Sequence, residues 1–270
     1  MNEARPFIAD IQTRELLYFD EQLKDECYEF CKNRDIDCLP SFDNSSKFYQ
    51  RNDEKNSFDL LDIGDDRRIE GSTFIFRSDL LDRFKKHQLF FVFTHGELTG
   101  VIHYSDYNRI IVNTYLFAEI SLYERSLRKL LIAKRMGNND MLAYFEHRAD
   151  KSKTKQNVAE DFKRKIQEFE KKKDYCSRLE EFQCFYLMDL IGLTNWQEVI
   201  PLNDSINNLR NSITHSRNTI EMRDARTPDF IYEFDTFEEL FKSVQLLLNE
   251  GLRIRNRVLL LEGLKANSTT

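Results

Sequence analysis

An arginine and a histidine stand five residues apart in Leu209-Arg210-Asn211-Ser212-Ile213-Thr214-His215-Ser216. The surrounding stretch, 203–219, reads as a helix with Asn203 or Asp204 available to cap it. A guanidinium and an imidazole together suit the transesterification of RNA, in which the ribose 2′-OH attacks the adjacent phosphorus. That reaction needs a base of near-neutral pKa, an acid for the leaving oxygen and positive charge on the phosphorane. Histidine titrates in this range and arginine donates bidentately to phosphate. Five residues is about one and a half helical turns, so the two side chains do not stack on one face. One protomer makes an incomplete site, and two copies about a twofold axis would bring both pairs to one cleft. Taken alone the spacing is a weak signal, since a salt-bridging Arg and a surface His would read the same way.

Other residues with chemical capacity are few. Glu124 could steady the Arg210/His215 pair or form an i,i+4 partner of Arg128. His103-Tyr104-Ser105-Asp106 ends an apolar strand, where the Asp106 carboxylate could cap the next helix. The five cysteines form no C-x-x-C pair, and their odd number leaves a thiol unpaired. Cys27 and Cys31 share a helical face as small hydrophobes, and no metal site is expected.

The elements that must position these residues divide near residue 110. Before it, Leu16–Phe19 reads as a strand, residues 20–34 as a helix and Cys38-Leu39-Pro40 as a second strand. The order returns with Thr73–Phe76 as strand, 78–87 as helix, Phe90–Phe93 as strand, a turn at Thr94–Glu97 and a returning strand Leu98–Tyr104. This predicts a weak internal repeat. After Ile110 the periodicity is helical: Leu116, Ile120, Tyr123, Leu127, Leu130 and Leu131 form one stripe, closed by Gly137-Asn138-Asn139. Helices are further predicted over 155–191, 203–219 and 236–261, the last opened by a Thr236/Glu239 capping box. The predicted fold is two domains: an α+β domain over 1–110 and an all-α domain over 111–265, with 266–270 as a tail.

The motif region resembles the HEPN family, an all-α group marked by R-x4-H with a polar residue after the Arg, here Asn211. Ile120–Arg128 is similar to that family's first core helix, and Phe185–Leu193 with Trp196 to the segment leading into the motif helix. The resemblance covers about residues 113–265. It implies a metal-independent endoribonuclease working as a homodimer on RNA, with Arg210 on the phosphate, His215 as acid or base, Asn211 orienting the pair and Glu124 supporting it. Gly96–Asp106 resembles the closing hairpin of a CBS domain, with His103 where Thr or Ser is usual, and Leu39-Pro40-Ser41-Phe42-Asp43 is similar to a more degenerate earlier copy. This second resemblance implies a nucleotide-sensing pair, with Asp106, His103 and Ser105 holding an adenine-nucleotide effector. Together they suit stress response, toxin or antiviral defence.

Composition bounds these expectations. Net charge is −6, distributed as −7 over residues 1–110 and +1 over the rest, so a polyanion would meet the second half. No apolar run approaches membrane length and the opening residues lack a signal core, so a cytoplasmic protein without membrane contact is expected. The rival reading is a non-catalytic regulatory or interaction protein whose helical half dimerises and whose first half is a scaffold. The lack of a basic stripe favours it, and the intact Arg210/His215 pair opposes it.

Overall fold

The computed structural model describes residues 5–152, 156–176, 178–222 and 234–267. Helices and strands mix in the first part of the chain, and from Ile110 the described elements are helices. The chain divides into two compact units. One holds the described residues to Tyr115 together with residues 234–241. The other holds Leu116–Met222 and the chain from Lys242 onward.

In the first unit, the short α1 (Ile8–Ile11) and α2 (Lys24–Asn33) precede an antiparallel sheet of β1 (Cys38–Pro40), β2 (Lys47–Asn52) and β3 (Ser57–Asp62). A second sheet holds β4 (Arg68–Glu70), β5 (Leu89–Thr94) and β6 (Glu97–His103), with α3 (Leu80–Lys86) between β4 and β5. β4 runs parallel to β5, and β6 returns antiparallel. The β5–β6 turn places His95 (φ 53°) and Gly96 (φ 86°) in the left-handed region, the backbone that a tight hairpin requires.

Two expected strands are absent. Residues 16–18 are irregular, and Phe19 makes only an isolated parallel bridge to Ser41. Pro40 lacks an N–H, so the edge of β1 cannot extend a ladder there. Thr73–Phe76 forms a turn with one bridge, from Phe74 to Phe7, and the strand lies earlier, at β4. Ile75 and Phe76 are both buried, and the backbone through them turns, with the Arg77 N–H donating to the Phe74 carbonyl at 3.0 Å. A reduced repeat survives: parallel contact, helix, strand and antiparallel neighbour recur, beginning at Phe19 and again at β4.

The second unit is built from helices. α4 (Ile110–Ala133) buries Leu116, Ile120, Tyr123, Leu127, Leu130 and Leu131, the stripe its spacing predicts. α5 (Asn138–Lys151) follows at once, with Gly137 as its N-cap and Asp140 Oδ2 accepting from the Gly137 N–H at 2.8 Å. Gly137-Asn138-Asn139 therefore starts a helix that the sequence reading did not place. The expected helix over 155–191 is broken into α6 (Gln156–Lys171), the single turn α7 (Lys173–Cys176) and α8 (Leu187–Trp196). Between α7 and α8, a disulfide joins Cys176 to Cys184 and Phe182 takes a positive φ of 69°, so the backbone leaves the helical region. α9 (Ser205–Met222) carries the R-x4-H segment, and α10 (Phe234–Asn267) closes the described chain. Thr236 lies inside the first turn of α10 and is not its cap. Phe234 and Phe237, in the first described turn, both pack on Tyr104.

Cys27, Cys31 and Cys38 are free, and burial pushes the Cys31 and Cys38 thiols up to about 11, which suits small hydrophobes. Among the described residues no helix is long and apolar enough to cross a membrane.

Gly192 is required by α5–α8 packing, because a Cβ there would overlap the Tyr144 hydroxyl and ring. Gly192→Ala is expected to lower the unfolding free energy by about 1–3 kcal/mol through overpacking. Urea denaturation measures it, and an unchanged midpoint would show that Tyr144 gives way freely.

Candidate functional site

α9 is anchored before it begins. Asn203 Oδ1 accepts from the Ser205 N–H at 2.9 Å, so the N-terminal turn is capped as the sequence suggested. Asn203's own N–H donates to Glu250 Oε1 at 3.0 Å, and Glu250 Oε2 accepts from the Tyr123 hydroxyl at 3.0 Å. Glu250 is 5% exposed, on α10, and therefore ties α4 and the start of α9 to one buried carboxylate. Burial raises its pKa, and raises that of Tyr123.

Along α9, Ile206, Leu209 and Ile213 are buried and fix the rotation of the helix. Arg210 and Asn211 sit half-buried beside this stripe, with Arg210 Nη1 donating to Asn211 Oδ1 at 3.3 Å. The structure thus brings the first two motif residues together. The backbone at His215 belongs to α9, but its side chain lies outside the described residues. At about 100° per residue, positions 210 and 215 are about 140° apart around the axis, so helical register alone does not stack them.

Glu124 is engaged elsewhere. Its carboxylate pairs with Arg128, one turn along α4, and both side chains are 22% exposed. Arg128 also donates to the carbonyls of Phe182 and Phe185, each at 3.2 Å. The i,i+4 pairing weighed from sequence is therefore present, and its effect is to clamp the irregular segment ahead of α8. The pair lines a cleft of about 560 Å³ with Arg125, Lys129, Glu180 and Glu181, formed by α4 and the 180–183 segment.

In the first unit, Asp106, His103 and Ser105 come together as a cap. Asp106 Oδ2 accepts from the His103 N–H at 2.8 Å, while Oδ1 takes Arg109 Nη2 at 2.9 Å and the Thr13 hydroxyl at 3.4 Å. His103 Nδ1 lies 2.8 Å from Ser105 Oγ and accepts from the Ser105 N–H at 3.2 Å. Burial lowers the His103 pKa, which favours the neutral ring. A ribose at Asp106 would have to displace Arg109 or Thr13.

Sequence reasoning missed an arginine-lined cleft of about 530 Å³ in the same unit. Arg68, Arg77 and Arg83 line it, from β4, the turn before α3 and α3 itself. Spread over fifteen residues among equally common carboxylates, they give no linear signal. Among the described residues, no group of three or more His, Cys, Asp or Glu side chains could hold a metal ion.

No protein-family model, curated protein or solved structure matches this chain.

Proposed function

We propose that the second unit is a metal-independent endoribonuclease of HEPN type that works as a homodimer. The observation that carries this reading is the Arg210–Asn211 contact on α9, five positions before His215 in a helical unit. His215 takes the 2′-OH proton as the 2′-oxygen bonds to phosphorus. The P–O5′ bond then breaks, and the partner's His215, as imidazolium, protonates the leaving O5′. Arg210 offsets the added charge of the phosphorane, and Asn211 holds the guanidinium in place. The products are a 2′,3′-cyclic phosphate and a 5′-OH. Glu124 acts at one remove, through Arg128 and the segment it clamps.

The first unit completes the proposal as a CBS-like sensor of an adenine nucleotide, in a cytoplasmic protein of stress, toxin or antiviral-defence type. The saturated Asp106 carboxylate supports a second reading for residues 103–106, in which they cap the chain entering α4 and hold no ligand.

Purified protein incubated with a mixed RNA pool is expected to yield cyclic-phosphate and 5′-hydroxyl ends equally with and without chelator. Activity lost in chelator and restored by added metal would overturn the metal-free mechanism. No cleavage of any RNA would leave the interaction-protein reading.

A further inference from the structure

We propose that the cleft lined by Arg68, Arg77 and Arg83 in the first unit is a binding site for an oligophosphate group, two or more linked phosphates. This deepens the effector part of the reading above by moving the anchoring charge away from Asp106, and it is independent of the ribonuclease chemistry.

Arg83 is the fixed member. Its Nη2 donates to the carbonyls of Asp65 (3.3 Å), Asp66 (3.4 Å) and Arg68, and its guanidinium lies over the Phe90 ring at 4.9 Å. Among the described residues no carboxylate lies within ion-pair distance of it. Carbonyl dipoles hold this cation in place, and its Nε and Nη1 donors remain uncommitted. A half-buried guanidinium with no carboxylate in contact, and with Asp79 and Asp66 acting on it only from a longer distance, favours an anion at the wall of an open cleft.

Arg68 and Arg77 supply the other two positive charges. Arg68 lies over Phe93 at 4.0 Å and meets Glu70 at 3.4 Å, while Arg77 pairs with Asp79. Both carboxylates are about half exposed, at 53% and 49%. The single Arg68–Glu70 contact is of the kind that contributes little, about 0–1 kcal/mol, and exchanges readily for a phosphate. Arg77 holds Asp79 through two hydrogen bonds and meets a phosphate beside that carboxylate. Three separate guanidinium groups match several linked phosphates better than one. The volume, about 530 Å³, is in the range of small-ligand sites. Asp65 and Glu70, both exposed and also in the lining, are the groups that oppose an anion.

Calorimetry on the full chain at low salt, with tripolyphosphate, pyrophosphate, ATP and adenosine as probes, tests the proposal. Tripolyphosphate and ATP are expected to bind, pyrophosphate more weakly, and adenosine not at all. ATP binding more tightly than tripolyphosphate would assign a nucleotide source, and equal affinity a free oligophosphate. Arg68→Gln/Arg77→Gln, which leaves the anchored Arg83 and the fold in place, should weaken binding by at least about tenfold. Asp65→Asn should tighten it, and Asp106→Ala should leave it unchanged. Binding lost in Asp106→Ala but retained in the double variant would overturn the cleft while sparing the effector reading. Oligophosphate binding through the arginines with no change in RNA cleavage would do the reverse. No heat with any probe, or adenosine binding as tightly as ATP, would also overturn the proposal.

Discussion

His215→Ala protein is expected to cleave RNA about 10²–10⁴-fold more slowly than the parent while keeping its melting temperature, because the imidazole moves protons. Arg210→Lys should fall comparably, since an ammonium cannot reproduce bidentate contact with a phosphate and would lose the fixed geometry with Asn211. Rates measured on one labelled RNA, with the melting temperature recorded alongside, separate loss of chemistry from loss of fold. Full activity in both variants would remove this site from consideration. Mixing Arg210→Ala and His215→Ala proteins tests whether the cleft is shared. A composite site changes activity on mixing, whereas a fully active monomer would exclude sharing.

Glu250→Leu should lower the unfolding free energy by about 2–4 kcal/mol, because it strands the Tyr123 hydroxyl and the Asn203 N–H that the carboxylate now accepts. Glu250→Gln keeps an acceptor and should lose much less. The two also differ in pH dependence. Burial raises the Glu250 pKa above its ordinary 4.5, with Tyr123, Asn203 and Arg253 opposing and Asp204 assisting. Between the ordinary value and the raised one, the native chain holds more protons than the unfolded chain, so stability falls as pH rises through that interval. Glu250→Gln removes this contribution. The stability of the parent relative to the Gln variant should therefore decline as pH rises above the ordinary carboxylate value and level off once the buried carboxyl has ionised. Urea midpoints at several pH values measure it, and a constant difference would mean that Glu250 does not titrate abnormally.

What the sequence made legible follows from periodicity. The six-residue stripe of α4 and the hairpin around His95-Gly96 rest on local rules, and both are present. Thr73–Phe76 misled because its aromatic run has strand propensity, while the chain there makes a turn closed by the Arg77 N–H on the Phe74 carbonyl. In the site, Arg210 and Asn211 are neighbours by sequence and needed no fold to meet. Glu250 was hidden for the opposite reason. An acid between Asn249 and Gly251 looks solvated until Tyr123 and Asn203, both distant in sequence, are brought to it. The Cys176–Cys184 disulfide was equally invisible, since a separation of eight residues prescribes neither pairing nor its absence.

The return of the chain to the first unit has a consequence for how the protein is made. Phe237 packs against Phe84 and Tyr107, and Phe241 against Phe76 and Tyr107. All three of these partners are in place within the first 115 residues, but the two phenylalanines are synthesised more than a hundred residues later. Nascent chains usually mature from the N-terminus as each domain emerges from the ribosome. Here the first unit lacks part of its own aromatic core until Phe237 and Phe241 are made, after Leu116–Met222 has been translated. A chain interrupted before residue 234 would lack that part of the core permanently, which makes truncated products the ones most prone to aggregation and chaperone capture.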